Sequence, residues 1–116
     1  MSDPARYPIE TARRLAGEAL PGSGDPYAVL LGRGSLELGY YIPQGEDHQP
    51  PHDQDELYVV MAGTGTFLRG DERIPFQTGD ALFVAAGTSH RFTDFTDDLQ
   101  LWVVFWGPPG GELPIS

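Results

Sequence analysis

From Pro26 to Gly107 the chain breaks into short apolar runs, none long enough for a substantial helix, with turn residues between them. The runs are Tyr27–Leu31, Ser35–Ile42, Glu56–Gly63, Gly65–Gly70, Arg73–Phe76, Asp80–Gly87, His90–Phe95 and Leu99–Gly107. Gly32 and Gly34 punctuate the first pair, and Gly70-Asp71 joins two runs as a hairpin turn would. Strands recurring every ~8–12 residues predict an all-β sandwich, jelly roll or barrel. The 15 glycines and 11 prolines, without a collagen-like period, agree with many turns and short strands.

Only the N-terminus departs from this pattern. In Glu10–Leu20, Ala12, Leu15, Ala16, Ala19 and Leu20 recur at helical spacing before Pro21-Gly22, which predicts a short helix. The expected organisation of the 116 residues is an arm with this helix over 1–24, one β-barrel domain over 25–107 and a tail without strand or helix period over 108–116. The last strand is apolar on both faces. Leu99, Leu101, Val103 and Phe105 alternate with Gln100, Trp102, Val104 and Trp106. Both faces should therefore be covered, one by the barrel interior and the other by the opposite sheet edge or a second subunit. A homodimer is expected.

Charge and missing residue types narrow the chemistry. The net charge is −10, and all seven basic residues are arginines. Such a surface repels phosphate backbones and anionic lipids, so neither nucleic acid nor membrane is an expected partner. No cysteine is present, which removes thiol nucleophiles, disulfides and cysteine-ligated zinc; no lysine is present, which removes Schiff-base catalysis. No apolar run approaches the ~20 residues that span a bilayer, and MSDPARYPIE has no signal-type apolar segment, so a cytoplasmic location is expected.

The stretch HQPPHDQDELYVV, His48 to Val60, holds two of the chain's three histidines. On one straight strand His52 and Glu56 would share a face but lie ~13 Å apart. Two ligands of one metal ion each sit within ~2–2.5 Å of it, so the chain must bend between them. Asp53-Gln54-Asp55 supplies turn chemistry at that place. Asp53 and Asp55 read as exposed turn residues, with Asp55 also able to support a ligand. A third ligand would have to come from elsewhere in the chain, and His90 is the only other histidine.

These residues resemble the cupin family. Gly79-DALFVAA-Gly87-TS-His90-RFT-Asp94 is similar to the second cupin motif, with Ala85 in place of its proline and Asp94 in place of its asparagine. His52-DQD-Glu56-LYVVMA-Gly63 is similar to the later half of the first motif. The resemblance covers roughly residues 27–106 and implies a double-stranded β-helix, the jelly-roll cupin barrel, with its site in the barrel mouth. Pro50 stands where the family's first histidine is expected. Either His48 swings in as a ligand, or His52, Glu56 and His90 act alone. Two imidazoles and one carboxylate suit Fe, Mn, Ni or Zn with positions left open for water or substrate.

Two functions follow as expectations. One is a metal-dependent enzyme acting on a small oxygen-bearing molecule, by dioxygenase, isomerase or cyclase, or lyase chemistry. Glu56 and Tyr58 would be its catalytic residues. Tyr58, Phe83, Phe92, Gln100 and Trp102 would line its pocket, by strand parity with Glu56 and His90. The other is a non-catalytic barrel that binds or senses a small molecule.

Overall fold

The computed structural model describes residues 3–18, 26–47 and 49–113 of the chain. A helix, α1 (Ile9–Gly17), precedes eight strands: β1 (Tyr27–Arg33), β2 (Leu36–Tyr41), β3 (Asp55–Ala62), β4 (Gly65–Arg69), β5 (Glu72–Phe76), β6 (Ala81–Val84), β7 (His90–Thr93) and β8 (Gln100–Trp106). Every expected run became a strand. The stop expected at Pro21-Gly22 lies outside the described residues, as does His48.

The strands form two antiparallel sheets, one ordered β1-β2-β8-β3-β6 and the other β5-β4-β7. Gly63 lies just after β3, where the chain leaves the large sheet for the small one. Its φ is 99°, and a Cβ there would stand 2.8 Å from the Leu99 Cα. A larger residue would be strained and would push the crossing off the loop before β8. This is a jelly-roll barrel.

The barrel interior follows from strand parity. Leu101, Val103 and Phe105 of β8 are buried, and in register they meet Val60, Tyr58 and Glu56 of β3. Leu82 and Val84 complete the row on β6, while Phe67, Phe76 and Phe92 face them from the small sheet. Burial of such side chains contributes about 1.5–3 kcal/mol each. Glu56 is thus a carboxylate at a position that the strand pattern assigns to the core.

The outer face of β8 is covered from within the chain. Ala12 and Ala16, four residues apart on α1 and fully buried, pack with Tyr40 against Ala28, Leu30, Met61 and Trp102. Their small side chains let the helix approach the sheet closely. Tyr40 and Trp102 are register partners on β2 and β8, and their rings meet edge to face at 4.9 Å. Around Trp102, then, the helix covers the surface for which the sequence suggested a sheet edge or second subunit. No helix among the described residues is long and apolar enough to cross a membrane.

Candidate metal centre

The bend required between His52 and Glu56 is present. Residues 53–54 form a bend, β3 begins at Asp55, and His52 Nε2 comes to 3.9 Å from Glu56 Oε1. The Gly87 amide donates to the His52 carbonyl (2.7 Å), tying this turn to the loop before β7. His90 opens β7, and its Nε2 lies 3.1 Å from the same Glu56 oxygen. One ligand atom from each of the three residues falls within 4.8 Å of the other two. Glu56 and His90 are buried, and the His52 side chain is 30% exposed.

Hydrogen bonding leaves the centre of this triad unsatisfied. Despite their proximity, Glu56 Oε1 and His90 Nε2 are not aligned as a hydrogen bond. Both Glu56 oxygens and His90 Nε2 are buried without a hydrogen-bond partner. Burying such groups unpaired costs about 1–3 kcal/mol each, and more when charged. The tautomer of His90 is set on its far side. Nδ1 lies 2.8 Å from the Thr88 carbonyl, which can only accept, so Nδ1 carries the proton and Nε2 turns its lone pair inward. Burial disfavours the charged form of His90, but Glu56, the Thr88 carbonyl and the Asp47 charge together outweigh it, and its pKa is raised. Two imidazoles and a carboxylate with orphaned atoms facing one another fit a divalent metal ion.

The Cupin domain family profile matches residues 38–105. The chain belongs to the cupin family. It is 34% identical over 85 residues to the uncharacterised protein SCO3923 of Streptomyces coelicolor, covering 72% of this chain and 80% of that one. It is 32% identical over 74 residues to the HTH-type transcriptional activator RhaR of Mannheimia succiniciproducens, matching 64% of this chain but 26% of the activator. The plu4264 protein of Photorhabdus luminescens superimposes with a TM-score of 0.68 at 15% identity, covering 92% of this chain and 89% of that one; the likeness is one of fold.

Within this cupin the other expected site residues separate by face. Tyr58 is fully buried on the inward face of β3, and its hydroxyl donates to Gln49 Oε1 (3.0 Å). Burial and the neighbouring Glu56 hold its phenol pKa well above the ordinary value. Phe92 also faces inward, but it is sealed among Tyr58, Phe67 and Phe76. Phe83, Gln100 and Trp102 are corrections. In register Phe83 stands opposite Leu57, one position out of phase with Glu56 and Val84; it is exposed and packs on Trp106. Trp102 faces α1, and Gln100 Oε1 accepts hydrogen bonds from Arg13 Nε and Tyr40 Oη, both at 2.8 Å. The expectation placed these three in phase with the ligands, whereas the pleat puts them on the opposite face.

Asp55 is also corrected. It is buried, accepting from the Ala86 amide (3.0 Å) and the Glu112 amide (2.9 Å), and so fastens the C-terminal segment over the turn. Asp53 is exposed, as expected.

Three residues near the triad were missed. Asp47 is buried and accepts from Tyr41 Oη (2.7 Å), the Phe92 amide (2.8 Å), and both the amide (3.2 Å) and Nε2 (2.9 Å) of Gln49. It clasps the loop before His52 to β7. With Nε2 so tied, the Gln49 amide oxygen is aimed at Tyr58 and comes to 3.4 Å from His52 Nε2. Glu37 of β2 accepts from Tyr27 Oη (2.7 Å) in a pocket of about 260 Å³ that also includes His52, Asp53, Gln54 and Phe105. Burial, then Glu37, raises the Tyr27 phenol pKa and keeps it a donor. Parity marks Glu37 as inward in a strand with Gly39 and Tyr41. Gln49 and Asp47 lie outside strands, and no periodicity could have found them.

Proposed function

We propose that this cupin is a metal-dependent enzyme that acts on a small oxygen-bearing molecule entering past His52. His52, Glu56 and His90 hold a divalent ion of the Fe, Mn, Ni or Zn group. The Gln49 amide oxygen is placed to join them where the family's first histidine is replaced. The observation that carries this reading is the set of buried, unpartnered atoms of Glu56 and His90 turned toward one another. When bound, such an ion polarises a ligand oxygen and lowers the pKa of water.

The protein's own groups then have distinct tasks. Thr88 fixes the His90 ring through Nδ1, and Asp47 fixes Gln49. Tyr58, kept protonated, acts as a hydrogen-bond donor to Gln49 rather than as a base. Glu56 is the ligand carboxylate at the inner end of the site, and it would carry a proton only when released from the ion. Reaction type, among dioxygenase, isomerase or cyclase, and lyase, is decided by the substrate. A cytoplasmic homodimer is part of the proposal, with exposed Phe83, packed on half-buried Trp106, as its seam. Light scattering that gives a monomer mass would remove that part.

The test is metal analysis of protein purified without chelator. Near-stoichiometric metal is expected in the wild type, with strong loss in His90→Ala and Glu56→Gln. Metal-free wild type that cannot be reloaded, or variants that retain the metal, would refute the centre. A second reading, a non-catalytic sensor barrel, is favoured by the similarity to part of a transcriptional activator. It predicts metal or ligand binding without turnover of any bound molecule.

A further inference from the structure

The pocket beside the triad has an electrostatic character of its own. It shares His52 with the triad, and Phe105 forms an apolar wall, the two rings meeting edge to face at 4.8 Å. Its acidic side chains are Glu37 and Asp53, and no arginine among the described residues lines it. Glu56 adds a third carboxylate, so a divalent ion held there would still leave one of the three carboxylate charges unbalanced. Its volume lies below the ~300–1,000 Å³ usual for drug-sized ligands, which restricts it to a small metabolite.

Glu37 is held in this pocket by a specific device. Tyr27 and Glu37 come from neighbouring strands, and the Tyr27 ring lies across β2 to reach the carboxylate. It crosses directly over Gly39, where any Cβ would occupy the place of the Tyr27 ring and hydroxyl. Tyr27 thus occupies Glu37 Oε2, while Oε1 accepts from no described residue. A carboxylate oxygen without a partner, fixed in position on an apolar wall, is an acceptor for a ligand hydroxyl.

We propose that Glu37, tethered by Tyr27 across the bare backbone of Gly39, is the specificity determinant of this pocket. It selects an uncharged hydroxyl-bearing small molecule and rejects carboxylates and phosphates. This rests on the reading of the triad as the adjoining metal centre and goes beyond it by naming the ligand class. Glu37 accepts the ligand hydroxyl, Phe105 packs on the carbon skeleton, and the excess negative charge excludes anions.

The probes are phenyl glycol and phenylacetate, which share an aromatic skeleton and exchange hydroxyl donors for a carboxylate. Binding of each is followed by ligand-observed NMR, with metal-loaded and chelator-treated protein. Phenyl glycol is expected to bind the wild type roughly tenfold or more tightly than phenylacetate. In Glu37→Gln the gap should close to about threefold or less, at unchanged metal content. Tyr27→Phe keeps the charge but loses the tether, so it should still reject phenylacetate while binding phenyl glycol more weakly. Equal or tighter binding of phenylacetate by the wild type, a gap that persists in Glu37→Gln, or no binding of phenyl glycol would each overturn the proposal. Failure of the metal centre would be read separately, as His90→Ala retaining the wild-type metal content. Discrimination by Glu37 in chelator-treated protein would stand through that result.

Discussion

Replacing Gly39 with alanine tests the placement of Tyr27 on which the pocket depends. The added methyl would fall where the Tyr27 ring and hydroxyl now lie, so the ring must leave β2. Leaving breaks the hydrogen bond to Glu37, which as a partly exposed bond to a charged group stabilises the fold by about 1.5 kcal/mol. It also breaks the edge contact with Tyr41, whose ring centroid is 6.3 Å away, a further loss of about 0.5–1.5 kcal/mol. Alanine is better than glycine in a strand interior by roughly 0.5–1 kcal/mol, which offsets part of this. The net expectation is a loss of about 1–2.5 kcal/mol, or a fall in Tm of roughly 5–12 °C for a domain of this size. The assay is thermal unfolding by circular dichroism on both sides of a double-mutant cycle. In a Tyr27→Ala background the same substitution should cost nothing, because no ring is left to displace. Gly32→Ala is the control: it lies on the neighbouring strand with open space around its Cβ position and should be neutral or slightly stabilising. A Gly39→Ala protein that melts with the wild type, or a cost that persists without Tyr27, would refute the reasoning.

Further outcomes follow from the same geometry. The raised pKa of His90 gives the metal-free and metal-bound proteins opposite pH dependences. Without metal, the folded-state value lies above the ordinary ~6.5, so the stabilisation is fully present below that pH and is lost as pH rises through the raised value. Metal requires the unprotonated Nε2, so the rise in Tm on adding zinc should shrink as pH falls through that value and be nearly gone at about pH 5; a constant rise across this range would contradict the ligand role. Asp47→Ala leaves the Phe92 amide and the Tyr41 hydroxyl without their carboxylate and should cost about 3–5 kcal/mol in urea unfolding; a loss under about 1 kcal/mol would show that the clasp is not structural. Trp102→Ala should destabilise by about 2–4 kcal/mol through the seat of α1 while metal content stays at the wild-type level. Loss of metal in that variant would place Trp102 inside the barrel after all.

Much of this was legible in the chain because it rests on local rules. Period-two alternation and glycine-bounded turns gave all eight strands, and the turn at Asp53-Gln54 was required once His52 and Glu56 were to meet. His90 could be joined to them only through the family resemblance, since nothing in the spacing brings β7 against β3. The outward positions were misjudged at Phe83, Gln100 and Trp102. Each strand alternates reliably within itself, but its phase relative to another strand depends on the register of pairing, which is a long-range quantity. Register set Phe83 against Leu57 and thus outside.

The sequence by itself determined a β-rich chain with three ligand-type side chains and a net charge of −10, because composition and alternation are carried by the residues themselves. Tertiary structure alone decided which face each β8 residue presents, that α1 covers Trp102, and that Asp47, Gln49 and Glu37 gather around the triad. The physical reason is distance along the chain. Asp47 finds the Phe92 amide 45 residues away, and Tyr27 reaches Glu37 only because Gly39 leaves the surface between them bare.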